Sequence, residues 1–337
     1  MVIFIRVLNL FQLFISYILA NFIRKPIIFG TPAFISIEPT NRCNLRCPEC
    51  PTGQSGLNRA TGNLNQQDFN VFIDQLSPQL AYLTLYFQGE PYLNKDLFKF
   101  IAYARSRNVY VWTSTNGHCF SEENIRKTID SGLNKLVISL DGTDQKTYEQ
   151  YRIGGSFETV VEGIRDFVRI RKKMTARKPL LEIQFLVLKP NQHQVSEIKK
   201  FGKSLGADRT VLKTAQFNDF EHGNPLMPEE GKWSRYKRIP DAGSRMPDSG
   251  CRITNPEFIL KNPLRNRCFR MWSGCVITWD GKVVPCCFDK DAEHCLGDLK
   301  TQSFKEIWKG EKYQRFRKAI LKNRKTFEMC KNCSQRW

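Results

Sequence analysis

Three cysteines, Cys43, Cys47 and Cys50, stand in the order C-x3-C-x2-C within "CNLRCPEC". Thiols this closely spaced read first as metal ligands, and iron–sulfur clusters are normally held by four of them. Three leave one metal position open, or filled from elsewhere in the chain. A second set lies downstream: Cys268, Cys275, Cys286, Cys287 and Cys295, then a closing C-x2-C at Cys330 and Cys333. In a secreted chain, twelve cysteines would suggest six disulfides, but 337 residues have core enough without that many staples. The clustering points to metal ligation by thiolates instead. Cys119 and Cys251 stand apart and read as structural thiols.

Composition sets the frame for those sites. Hydrophobic residues make up 41% and charged residues 25%, as in a globular protein with a true core. The formal charge is +19, and it is unevenly spread. No Asp or Glu precedes Glu38, and residues 301–337 carry eleven Lys and Arg against three Glu. Such a balance favours anionic partners: nucleic acid, phosphate-bearing substrates or the anionic face of a membrane.

The elements that must position the cysteines alternate along the chain. "AFISIEP", "YLTLYFQG", "VYVWTSTNG", "KLVISLDG", "LLEIQFLVL" and "RTVLKTAQF" read as strands; "DLFKFIAYARSR", "SEENIRKTID", "FETVVEGIRDFVRIRKK" and "QVSEIKKFGKSLG" read as helices between them. This alternation predicts a parallel α/β architecture with functional loops at the C-terminal ends of the strands. Residues 218–267 change texture to Gly, Pro and Arg, a connector suited to covering the barrel mouth. Trp279-Asp280-Gly281-Lys282 signals a hairpin, and "SFKEIWKGEKYQRFRKAILKNRK" an amphipathic helix.

Residues 1–25 are the most apolar stretch, interrupted by Arg6, Asn9, Gln12 and Ser16, which share one helical stripe, with Pro26 as the stop. Phe4, Leu8, Phe11, Ile15, Leu19 and Phe22 occupy the opposite face, too much apolar surface to leave in water. The expectation is a helix lying on the inner face of the cytoplasmic membrane or against a partner protein. Packing on the open side of an incomplete barrel is the competing reading, and a transmembrane anchor is disfavoured by Arg6, Asn9 and Gln12.

With a C-x3-C-x2-C loop after the first strand, the chain resembles the radical S-adenosylmethionine (SAM) enzymes over residues 33 to 217. That resemblance implies a partial (β/α)6 TIM-like barrel. Cys43, Cys47 and Cys50 would hold a 4Fe–4S cluster whose open iron chelates SAM, reductively cleaved to a 5′-deoxyadenosyl radical that abstracts hydrogen from substrate. Gln88, Gly89 and Glu90 match the family's Gly-Gly-Glu motif for the SAM amino group, with Gln replacing the first glycine; the same stretch also reads as a simple turn. Ser139 and Asp141 in "ISLDG", Arg152 in "YRIGG" and Asn116 in "STNG" are the further SAM contacts implied. Asp141-Gly142 equally suits a turn, and Arg152 an exposed helix. The aromatic residue usual before the third cysteine is here Glu49.

The downstream cysteines resemble the SPASM or shorter twitch extension. Gly281 to Cys286 fits its G-x4-C hairpin, and Cys268, Cys286, Cys330 and Cys333 are the ligand set implied for an auxiliary 4Fe–4S cluster. Cys287 could replace Cys286, Cys275 could replace Cys268, Cys295 is unassigned, and zinc on four cysteines fits the spacing as well. The division expected is 1–26 helix, 33–217 radical SAM core, 218–267 connector and 268–337 auxiliary domain. The implied activity is oxidation, dehydrogenation or cross-linking with the auxiliary cluster as electron acceptor. An electron donor such as flavodoxin or ferredoxin would serve it, and the substrate would be a small molecule, a peptide or lipid-linked. Nucleic acid is not expected as a partner, and no catalytic acid or base is assigned. The alternative is a zinc-binding, membrane-associated adaptor without catalysis.

Overall fold

The computed structural model describes residues 1–229, 231–240 and 256–334. Cys251 and the middle of the 218–267 connector lie outside the described residues. The chain begins with α1 (Val2–Ile23), which ends at Arg24 in the left-handed region (φ 59°), two residues before Pro26. There follow β1 (Phe34–Ile37), α2 (Gln66–Leu76), β2 (Tyr82–Thr84), α3 (Leu97–Ser106), β3 (Tyr110–Thr115), α4 (Glu122–Asp130) and β4 (Lys135–Ser139). Next come the short α5 (Gln145–Glu149), α6 (Phe157–Lys173), β5 (Leu180–Val187), α7 (Val195–Ser204) and β6 (Arg209–Thr214). The connector holds an antiparallel pair, β7 (Tyr236–Arg238) with β8 (Phe258–Leu260). The remainder is α8 (Arg270–Ser273), β9 (Gly274–Ile277), β10 (Lys282–Val284), β11 (Gly297–Asp298), α9 (Phe304–Lys309), α10 (Glu311–Asn323) and α11 (Glu328–Lys331).

Helix starts follow local chemistry. Asn65, Ser121, Asp144, Ser156 and Ser303 each accept a hydrogen bond from the backbone three residues on, satisfying donors that no helical turn can. Strands β1 to β6 pair in parallel and in chain order, the partial (β/α)6 barrel. Period-two alternation sends Ile35, Leu83 and Val111 outward to the helices, where Phe69 stacks on Phe100 at 4.5 Å. The intervening Phe34, Ser36, Tyr82, Thr84 and Trp112 line a cavity inside the barrel.

One feature goes beyond the sequence reading and one differs from it. The C-terminal hairpin does not form a sheet of its own: β9 pairs in parallel with β1, with Phe34 opposite Gly274 and Ile37 opposite Ile277, so the sheet order runs β11-β10-β9-β1-β2-β3-β4-β5-β6. The long amphipathic helix read over 303–325 is two helices, because Gly310 takes an extended conformation (ψ 162°) between α9 and α10.

Arg317 of α10 holds this end together. Fully buried, it donates to the carbonyls of Met271 (2.9 Å) and Trp308 (2.8 Å), and its guanidinium lies 4.1 and 3.9 Å from the Trp308 and Tyr313 rings. Burial pushes its pKa down to about 10. Arg317→Ala removes two charge-assisted hydrogen bonds and leaves two buried carbonyls unpaired, costing about 3 kcal/mol. The thermal midpoint of the folded chain should fall by roughly 5 °C or more; an unchanged midpoint would show that α10 is held by other contacts.

Candidate active site and auxiliary metal centre

The C-x3-C-x2-C loop leaves the C-terminal end of β1 and is clamped from several sides. Glu38, the residue after β1, is buried and forms a bidentate ion pair with Arg59 (2.5 and 2.6 Å) while accepting from the Trp279 N–H (3.2 Å). Burial raises the Glu38 pKa, against the pull of Arg59. The loop backbone is tied down by Arg46 N–H to the Ile153 carbonyl (3.0 Å) and Glu90 N–H to the Arg42 carbonyl (2.7 Å). The cysteines sit in an apolar nest with Leu45, Tyr151, Leu188, Ala215 and Phe217. Burial lifts the Cys43 thiol to about 11 and raises Cys47 as well.

Donors converge on these sulfurs. Cys43 Sγ accepts from Leu45 N–H (3.5 Å) and lies 4.0 Å from Asn116 Nδ2; Cys47 Sγ lies 3.8 Å from Arg152 Nη1. Arg152 is fixed from behind by Asp141, whose Oδ2 accepts from its Nε (2.6 Å) and whose Oδ1 accepts from the Leu186 N–H (2.6 Å). Asn116 donates to Asn44 Oδ1 (2.7 Å) and is oriented by His118. The His118 Nε2 accepts the Ser156 N–H (2.9 Å), so the ring is neutral with its proton on Nδ1, facing the Asn116 oxygen at 3.1 Å; burial keeps its pKa low.

Glu90 accepts from Tyr92 N–H (3.2 Å), Thr115 Oγ1 (2.8 Å) and Asn116 N–H (2.7 Å), leaving about one of its four lone-pair positions. Its burial raises the pKa to about 7, with those donors opposing. Gln88 Oε1 lies 3.4 Å from Thr52 Oγ1, and Ser139 is buried at the end of β4. Gln88, Gly89, Glu90, Asn116, Ser139 and Asp141 thus come from strand ends or the loops just after them, on the side of the barrel where the cysteine loop lies, and Arg152 joins them from the loop between α5 and α6.

The second cysteine set is selected by folding. Cys268, Cys286, Cys330 and Cys333, from three distant segments, line one cavity together with Arg270, Arg324 and an apolar wall of Met271, Phe288, Phe316, Ile320 and Met329. Cys275 points into the core of β9, Cys295 Sγ faces the Gly297 carbonyl (3.4 Å), and Cys287 packs by Phe87; none of the three lines the cavity. Burial raises the Cys268 thiol and lifts Cys330 to about 11. Among the described residues no three His, Cys, Asp or Glu side chains converge tightly enough to grip a single ion.

The profile of the Radical SAM superfamily matches residues 37–177, and that of the SPASM iron–sulfur cluster-binding domain matches residues 268–334. The chain belongs to the radical SAM superfamily and carries a SPASM domain. It is 25% identical over 326 residues to the tungsten-containing aldehyde ferredoxin oxidoreductase cofactor-modifying protein of Pyrococcus furiosus, covering 90% of this chain and 87% of that one. The AdoMet-dependent heme synthase of Methanosarcina barkeri is 25% identical over 309 residues (86% and 85% covered), and the PqqA peptide cyclase of Bradyrhizobium diazoefficiens 24% over 328 (91% and 80%). Among solved structures, Streptococcus suis SuiB bound to S-adenosylmethionine superposes with a TM-score of 0.61 at 15% identity, covering 86% of this chain and 68% of that one. AnSMEcpe with bound AdoMet and Cp18Cys peptide gives 0.60 at 18%, covering 89% and 88%. These two likenesses carry the fold.

A radical SAM enzyme of this kind uses SAM with a 4Fe–4S cluster, and its SPASM domain binds auxiliary iron–sulfur. Membership makes the chain an enzyme and sets aside the non-catalytic adaptor. The residues present fit both groups: buried thiols with N–H donors aimed at sulfur, and two arginines beside the auxiliary set to offset thiolate charge.

Several residues of these sites escaped the sequence reading. Glu49, noted only as a departure, accepts from Asn218 N–H (3.0 Å) and Asn224 Nδ2 (2.8 Å), pinning the connector to the cysteine loop. Asn332, inside the closing C-x2-C, donates to the Phe217 carbonyl and accepts from Tyr236 O–H (2.5 and 2.7 Å). The two cysteine sites are therefore joined through one connector. Arg270 had a faint signal, a base two residues after Cys268; the others depend on long-range contacts.

Gly89 permits the closest approach. Its φ is +75°, and a Cβ there would lie 2.6 Å from both the Thr40 and Arg42 carbonyls. Gly89→Ala should push the turn off the cysteine loop and cut SAM cleavage by about ten-fold or more, measured as 5′-deoxyadenosine released. Gly56→Ala, whose Cβ would meet only the Pro51 carbonyl at 3.8 Å, serves as the control and should be near neutral. Equal activity in the two variants would contradict the clamp.

Proposed function

We propose that this radical SAM enzyme abstracts hydrogen from a substrate held inside the barrel, for oxidation, dehydrogenation or cross-linking, with the auxiliary cluster accepting the electron left behind. The observation that carries the reading is Arg270, which lines both the barrel cavity and the cavity of the four SPASM cysteines. A ligand in the barrel is thereby one side chain away from the auxiliary centre. In this reading Cys43, Cys47 and Cys50 hold the SAM-binding cluster, and Cys268, Cys286, Cys330 and Cys333 the auxiliary 4Fe–4S cluster. When bound, the first cluster supplies the electron for reductive cleavage of SAM, which provides the hydrogen-abstracting power.

The protein's own groups bind and orient. Arg152, held in place by Asp141, presents guanidinium N–H groups for the SAM carboxylate, a planar fork that lysine cannot reproduce. Asn116, Ser139 and the Gln88-Gly89-Glu90 turn complete the SAM pocket, with Glu90 bracing Asn116 from beneath. The barrel cavity, about 380 Å³, has room for a small molecule or the reacting part of a larger one. Arg270, Ser36, Thr84 and Ser273 offer polar handles among the aromatic walls of Phe34, Tyr82, Trp112 and Phe269. The relatives' names span cofactor modification, heme synthesis and peptide cyclisation, which supports a small molecule or a peptide as substrate; a lipid-linked compound is a further candidate that those names do not touch. We assign the connector, residues 218–267, to covering the mouth between the core (33–217) and the auxiliary domain (268–337). We assign the enzyme to the cytoplasm, in keeping with a need for reduced thiolates and for a donor such as flavodoxin or ferredoxin; nucleic acid is not assigned as a partner.

Replacing Cys43, Cys47 and Cys50 together with Ala should remove one cluster's iron and abolish 5′-deoxyadenosine formation while the barrel still folds, since these residues sit on a loop. Retained 5′-deoxyadenosine would end the assignment. Replacing Cys330 and Cys333 with Ala should remove the other cluster's iron and lower solubility, because a small segment relies on its metal to fold. Any soluble fraction should still cleave SAM without turning over substrate. Full iron content in that variant would show the ligand set to be wrong.

A further inference from the structure

Helix α1 meets the protein with its polar stripe and turns its apolar face outward, the reverse of an ordinary surface helix. Asn9 and Ser16 are buried. Asn9 Nδ2 donates to the Thr31 carbonyl (2.8 Å) and its Oδ1 accepts the Thr31 N–H (2.9 Å), while Ser16 Oγ accepts the Phe29 N–H (2.9 Å). Arg6 reaches beneath the barrel to the carbonyls of Pro78 (3.2 Å), Arg107 (3.2 Å) and Asn108 (2.7 Å), in the loops that lead into β2 and β3. Tyr17 packs edge-on against Phe269 and Trp272, with ring centroids 5.2 and 5.6 Å away. Turning the helix over to bury its apolar face would break all of these bonds.

Outward stand Phe4, Val7, Leu8, Phe11, Phe14 and Phe22, between 47% and 87% exposed, along a helix of 22 residues. At 1.5 Å per residue that strip is about 33 Å long, far beyond the isolated apolar side chains a water-facing surface normally shows. Phe29 and Tyr110, exposed beside it, widen the strip with aromatic rings. The charges near it are basic. No acidic residue occurs before Glu38, and exposed Arg24 and Lys25 follow the helix. Arg24 donates to the Asn266 and Leu321 carbonyls, which brings the exposed Arg267 and Lys322 to the same end.

We propose that α1 is a peripheral docking helix that lays the base of the barrel on an anionic lipid bilayer, its apolar face in the acyl region and its basic rim at the headgroups. A second copy of the chain fits less well, since it would bring another +19 charge to the same surface. The helix is long and apolar enough to span a bilayer by length and composition. Spanning would pull Arg6, Asn9 and Ser16 off their partners and into hydrocarbon. Docked flat, the enzyme turns the C-terminal strand ends and their cysteine loop away from the lipid.

The test is vesicle flotation of the full-length holoenzyme with phosphatidylcholine vesicles, alone or containing about 30% phosphatidylglycerol. The expected result is flotation with the anionic vesicles that weakens at high salt. Phe4→Ser, Phe11→Ser and Phe22→Ser combined should cut binding by about ten-fold or more, with iron content and SAM cleavage unchanged, so that loss of docking is told apart from loss of the enzyme. Three results would overturn the proposal: wild type that ignores anionic vesicles, wild type that instead forms a dimer abolished by the triple change, or membrane-bound protein that resists carbonate extraction. If the triple variant loses its iron, the lipid and salt dependence of the wild type decides alone.

Discussion

A sulfur out of water resists losing its proton, and thiolates are what metals bind. Burial lifts Cys43 and Cys330 to about 11 and raises Cys47 and Cys268 as well. Each site must therefore bring positive charge to sulfur inside an apolar shell. Bound iron provides most of it. The chain provides the rest through Arg152 at the first site and Arg270 with Arg324 at the second. Much of the architecture around the first site holds the cation and the sulfurs still: Asp141 behind Arg152, the Asn116–His118 pair beside Cys43, and Glu38–Arg59 locking the loop to the end of β1.

The same constraint explains why the two sites are built into one sheet. β9 pairs directly with β1 and antiparallel with β10, so the strand that launches the first cysteine loop is hydrogen-bonded to the first arm of the hairpin whose second arm leads into Cys286. The connector then links the loops above: Glu49 holds Asn218, and Asn332 holds Phe217. Two cysteine sites tied by strand pairing below and by connector bonds above keep a fixed separation.

The local signals survived folding and the long-range ones had to be found. Cysteine spacing and the alternation of β-branched runs with amphipathic stretches are properties of short windows, so the first loop, the six parallel strands and most helices were legible. Helix α2 was not read, since its polar start, Gln66-Gln67-Asp68, hides a periodicity that only Phe69, Phe72, Ile73 and Leu76 carry. The break at Gly310 lies within a periodic stretch that reads as continuous. Which four of seven downstream cysteines meet depends on contacts between segments more than 40 residues apart. Periodicity in α1 revealed two faces; it could not reveal that the polar one faces the protein, because that depends on the backbone groups of Phe29 and Thr31 waiting at the barrel base.

The central claim is that two differently ligated clusters sit in this chain, one with an iron open to SAM and one closed by four cysteines. Mössbauer spectroscopy of the anaerobically reconstituted, iron-57-labelled protein, with and without SAM, tests it most directly. The account predicts about eight irons per chain in two 4Fe–4S clusters, with SAM altering one iron site of one cluster only. Spectra of both clusters that do not respond to SAM, or stoichiometric zinc in place of either, would contradict it.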